Sequence, residues 1–236
     1  MADIDPFEAQ RAAPRLRDQA ERAALVAHGV TSLDALLAVV RDRTAPTPVR
    51  VTACRVTASL KQKRADGALL TAFGDPDVEL ARAAAHSLGV LGSRRAVRPL
   101  IAALEDDNPE RREAAAYALG NLDDKRAVEP LLRTLADPGQ DVRVRAQAAE
   151  SLGYLMDERA VEPLIATLRD PAPEVRFWSA FAHGWLRDRR ALPALRRLAA
   201  EDAAEVPGWW SVGKEAADTI PYLEQRWSDG SDGSDG

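Results

Sequence analysis

The chain is poor in several residue types, and each shortage excludes something. Cys54 is the one cysteine in 236 residues, so neither an intramolecular disulfide nor a cysteine-based metal cluster can form. The three histidines, His28, His86 and His183, are far apart in sequence and suggest no metal centre. Lysine is scarce, the 32 basic residues being almost all arginine, and net charge is −5. That balance argues against a general polyanion binder, so nucleic acid is not an expected partner. No run approaches the roughly 18 apolar residues of a membrane span. The acidic start, Met1-Ala2-Asp3-Ile4-Asp5-Pro6, lacks the apolar stretch of a secretory signal. A soluble cytoplasmic protein without membrane contact is expected.

Aromatics are also few, at 5%, although the hydrophobic fraction is 46%. Alanine supplies 45 residues. A core of Ala and Leu with few β-branched or aromatic residues favours close-packed helices over sheets. The aromatics are unevenly placed: 8 of 12, including all 5 Trp, fall between Phe177 and Trp227.

What the chain does contain is a repeat. Arg95-Ala96-Val97-Arg98-Pro99-Leu100 recurs from Arg126 and again from Arg159, and more loosely from Arg190; a degenerate copy starts at Arg64. Each unit reads as two helices. The Pro after the Arg-Ala fits the first turn of the first helix, where no N–H is needed. Turn and capping signals follow, such as Asp75-Pro76-Asp77 and Asp170-Pro171-Ala172-Pro173. The second helix then carries apolar positions at helical spacing, as in Val144…Ala148-Ala149…Leu152. Trp209 to Ile220 fits a last, divergent second helix.

The unit Arg-Ala-Val-Glu-Pro-Leu…Asp-Pro…Val-Arg…Ala-Ala…Leu-Gly resembles the bacterial HEAT-like repeat of phycobilin-lyase type. The resemblance implies an all-α fold, a right-handed α–α superhelix of about six two-helix units whose second helices line a concave face. Units are expected near 33–63, 64–94, 95–125, 126–158, 159–189 and 190–227. An N-terminal helical cap is expected over 1–32, and a flexible Ser-Asp-Gly tail over 228–236. Such repeats occur in chromophore lyases, scaffolds, regulators and HEAT-like DNA glycosylases, so the resemblance speaks to fold far more than to function.

Consensus positions build the stack, and variable ones on the second helix meet a ligand. Counting from the Gly that ends each second helix (Gly89, Gly120, Gly153, Gly184), positions −10, −7, −6, −3 and +1 form the accessible stripe. In the unit ending at Gly184 four of the five are aromatic: Phe177, Trp178, Phe181 and Trp185. Tyr117, Glu150 and Tyr154 approach from earlier units, and Trp210 from the next, with Trp209 expected at a buried position. These residues are the candidate binding set; Arg82, His86, Glu113, Arg143, Gln147 and His183 are secondary candidates. Such a patch reads either as an interaction site or as a cap on the open end of the stack. His183 replaces the Leu of other units, and reads as a satisfied core histidine or as a site histidine. Arg50, Arg112, Arg145 and Arg176, at −8, are expected to tie units to loop aspartates.

No Gly-rich phosphate loop, Gly-x-Ser-x-Gly elbow or His-Glu-x-x-His occurs, and the His-Glu pairs of HEAT-repeat di-iron hydroxylases are missing. No catalytic residue, metal or cofactor is assigned. The leading expectation is a scaffold that binds a protein or peptide on its concave face. The alternatives are a lyase-type enzyme or binder of a planar hydrophobic small molecule, and a HEAT-like DNA glycosylase.

Overall fold

The computed structural model describes residues 32–225. The expected cap, but for Ser32, and the expected tail lie outside the described residues. Among the described residues twelve α-helices run in chain order: α1 (Leu33–Arg41), α2 (Thr47–Ser59), α3 (Asp66–Phe73), α4 (Val78–Leu91), α5 (Val97–Ala103), α6 (Pro109–Asn121), α7 (Val128–Ala136), α8 (Val142–Leu155), α9 (Val161–Thr167), α10 (Pro173–Leu186), α11 (Leu192–Glu201) and α12 (Val212–Glu224). The one pairing of extended backbone among the described residues is an isolated antiparallel bridge, Glu205–Ser211.

Local chemistry sets these boundaries. Each Arg-Ala motif forms a short 3-10 turn that feeds the first helix of its unit. Asp124 caps one such turn by accepting the Arg126 amide, and its carboxylate also receives the Arg126 guanidinium at 2.6–2.8 Å. Asp157 with Arg159 and Asp188 with Arg190 repeat the arrangement. Second helices start on side-chain caps: Asp77 for α4, Asn108 for α6 and Asp141 for α8. The chain leaves them through left-handed residues: Gly92 after α4, Asp123 beyond α6, Met156 after α8 and Arg187 after α10.

The core is continuous along the stack. The Leu five residues after each motif Arg (Leu100, Leu131, Leu164, Leu195) is fully buried, contributing about 2 kcal/mol apiece. Successive second helices pack on one another from α2 to α12, whereas first helices touch mainly their own partners. The even-numbered helices therefore form the tight inner layer and the odd-numbered ones the outer layer. Close approach depends on small residues. A Cβ on Gly153 would lie 2.7 Å from the Ala182 Cα, and one on Gly120 2.7 Å from the Ser151 side chain. Ser151 Oγ fastens the α6–α8 contact by donating to the Ala116 carbonyl at 2.9 Å.

Arginine stitches neighbouring units at the loop edge. Arg50 meets Asp75 at 3.0 Å and the Val40 carbonyl. Arg145 pairs with Asp170, and Arg176 with Asp202 at 2.6 Å. Arg112 departs from the pattern and donates to the Asp106 and Asp107 carbonyls of its own loop. The last unit also differs from expectation. α12 begins only at Val212, so Trp209 and Trp210 lie in the preceding loop and not on a helix.

Candidate binding face

The inner helices α2, α4, α6 and α8 wall a concavity of about 440 Å³. Arg55, Glu79, Arg82 and His86 stand on the α2–α4 side; Glu113, Tyr117 and Gln147 stand on the α6–α8 side. His86 stacks on Tyr117 with ring centroids 5.0 Å apart and planes 16° from parallel. Arg143 is exposed above Glu113, 4.0 Å away, a separation worth little in solvent.

Glu150 corrects the exposed-stripe expectation. It is only 6% exposed. Its carboxylate accepts from Tyr154 Oη at 2.9 Å and from Gln147 Nε2 at 2.6 Å. Burial raises its pKa above the usual carboxylate range against the pull of those two donors. Burial, with the nearby Glu150 charge, also raises the Tyr117 hydroxyl.

Beyond Glu150 the aromatics form one connected cluster. Tyr154 meets Phe181 at 6.0 Å and Trp185 at 5.3 Å, both edge-on. Trp178 joins Phe181 at 5.2 Å and Trp209 at 5.1 Å, while Phe177 contacts Trp178, Trp209 and Trp210. The accessible stripe is corrected here too. Phe177 is fully buried because the 202–211 loop folds its two tryptophans against it, and Phe181 is 6% exposed, packed on Tyr154 and Trp178. Trp178, Trp185 and Tyr154 are half-buried. The two loop tryptophans exchange their expected roles. Trp209 is 39% exposed, whereas Trp210 is half-buried and donates through Nε1 to Glu215 at 2.8 Å. Burial pushes the Glu215 carboxyl up to about 7, against the Trp210 hydrogen bond.

His183 is fully buried, and burial pushes its pKa down to about 4. Neither ring nitrogen makes a well-formed hydrogen bond; the Leu164 carbonyl is the backbone group that acts on it. It is a neutral core residue. Cys54 is buried too, its thiol pushed up to about 12 and so protonated and unreactive. No group of three or more metal-ligating side chains occurs among the described residues, and none of their helices is long and apolar enough to cross a membrane.

A model of HEAT repeats matches residues 65–143 and 139–212. The chain belongs to the HEAT repeat family. Among solved structures it is similar to the complex of CpcE and CpcF of phycocyanin lyase from Nostoc sp. PCC7120, at 26% identity over 72% of this chain and 71% of the other, with a TM-score of 0.59. It is also similar in fold to a designed armadillo repeat protein in complex with the peptide (KR)4, at 18% identity over 82% of this chain and all of the other, TM-score 0.52. No curated protein matches the sequence.

The HEAT register explains which residues sequence reasoning missed. Arg55 occupies the −3 position of its unit, but that unit has Ala58 where later ones have Gly, so nothing marks its place. Glu215 lies in the divergent last helix, outside any clear copy of the motif.

Proposed function

We propose that this HEAT solenoid is a scaffold that binds a protein or peptide along its inner face. The observation that carries the reading is the continuity of two features. The charged concavity ends at Gln147, and the half-buried rings of Tyr154, Trp185 and Trp178 continue from there to exposed Trp209. Aromatic anchors beside polar, hydrogen-bonding side chains are the usual make-up of an interface hot spot. Phe177 and Phe181 serve this surface from below, as the packing that holds the partly exposed rings.

The test is affinity capture with the full chain as bait. A specific partner should be retained at least tenfold less by the Trp185→Ala/Trp209→Ala variant, with the thermal melt used to confirm folding. Retention unchanged by that variant would remove the aromatic region from the interface.

A second reading is a binder of a planar hydrophobic molecule. The resemblance to the phycocyanin lyase complex and the edge-on Tyr154–Trp185 pair favour it. Titration with conjugated chromophores should then quench tryptophan fluorescence saturably, and Trp185→Ala should abolish the saturable part.

A further inference from the structure

Glu150 is a buried acid without a cation. Among the described residues its two hydrogen-bond donors, the Tyr154 hydroxyl and the Gln147 amide, are both neutral. Among the described residues no ion pair reaches it, and an ionised carboxylate at 6% exposure is costly without a counter-charge. Gln147 connects this acid to solvent: it lines the concavity on one side and donates to Glu150 Oε2 on the other. The amide therefore occupies the place a cationic donor would take. Tyr117, held flat by His86, offers a ring beside that place.

We propose that the concavity takes a single arginine or lysine side chain from a peptide partner, its cationic head against Tyr117 and hydrogen-bonded to Glu150. The proposal rests on the inner face being a peptide-binding surface and names the side chain it selects. A guanidinium suits the site best, because its planar fork can donate to a carboxylate while its face lies on a ring. Glu113 adds a second negative charge on the same side. On the facing wall Arg55 and Arg82 outnumber Glu79 and repel another cation, so the site favours one basic group and directs it toward α8.

The experiment is calorimetric titration of the full chain, at low salt, with acetyl-Leu-Arg-Leu-amide and with its citrulline counterpart. Citrulline keeps the shape and loses the charge. The arginine peptide should bind at least tenfold more tightly. Glu150→Gln should bring the two peptides within twofold of each other, while Glu129→Gln on the outer layer keeps the preference. Gln147→Ala removes the competing neutral donor and should tighten arginine binding at least twofold; this variant serves also if Glu150→Gln fails to fold. Equal binding of both peptides by the parent chain would overturn the proposal, as would a preference that survives in Glu150→Gln or falls in Gln147→Ala. A partner lost on Trp185→Ala/Trp209→Ala but held equally by Glu150→Gln would overturn it while leaving the scaffold reading intact.

Discussion

Single residues in this stack carry tension that the repeat leaves unresolved. Met156 sits at φ 46°, a left-handed position that Gly92 fills without strain in an earlier unit, and it is exposed. A side chain there costs about 1–2 kcal/mol, and glycine returns part of that as backbone entropy. Met156→Gly is expected to stabilise the fold by about 0.5–1 kcal/mol in urea denaturation. Glu215 carries a different tension. Its pKa in the folded chain is raised to about 7, above its ordinary value of 4.5. Its contribution is therefore fully present below about pH 4.5, where both states are protonated, and is lost as pH rises through 7. Glu215→Gln removes the burial cost of the charge and keeps an acceptor for Trp210. Thermal melts should thus show the variant gaining on the parent chain between pH 5 and pH 8, by a few kcal/mol. A difference that is flat with pH would contradict the assignment.

At the scale of the helix, closeness of approach is the controlling quantity. α8 and α10 touch through Gly153 and Ala182, and a methyl group on Gly153 would meet backbone. Gly153→Ala should cost about 1–3 kcal/mol and, by parting α8 from α10, perturb the Tyr154–Trp185 contact, a change visible in tryptophan emission. The same scale shows why some of the site was legible in sequence and some was not. The repeat spacing identifies every second helix from α2 to α10 and assigns the −8 arginines their loop partners at Arg50, Arg145 and Arg176. It treats all second helices as alike, however. Phe177 occupies a position that is open elsewhere, as at Arg82, yet it is covered because a loop with no counterpart in earlier units lies across it; Phe181, in register with exposed His86, is covered by Tyr154 and Trp178. Non-repeating loops leave no periodic signal, so the burial of Phe177 and the exposure of Trp209 could not be read from register alone.

For the molecule as a whole, the distribution of arginine ties matters more than their number. Units one and two are joined at the loop edge by Arg50–Asp75, units four and five by Arg145–Asp170, and units five and six by Arg176–Asp202. Units two and three are linked by Arg111, which reaches back to the Phe73 and Asp75 carbonyls. Between units three and four no buried arginine–aspartate pair occurs among the described residues, since Arg112 turns to its own loop. Hydrogen exchange should register this difference. The Gly139 amide, bonded to Asp137 in the untied loop, is expected to exchange at least tenfold faster than that of Ala172, bonded in the same way to Asp170 in a tied loop.

The Arg112 turn has a mechanical consequence. The α6–α8 junction is pinned at mid-helix by Ser151 and unlatched at its loop edge, so strain applied to the solenoid opens it there as a wedge. Tyr117 and Gln147 stand on the two faces of that wedge. The concavity thus borders a joint that lacks a buried arginine latch, and anything bridging Tyr117 to Glu150 would brace that joint.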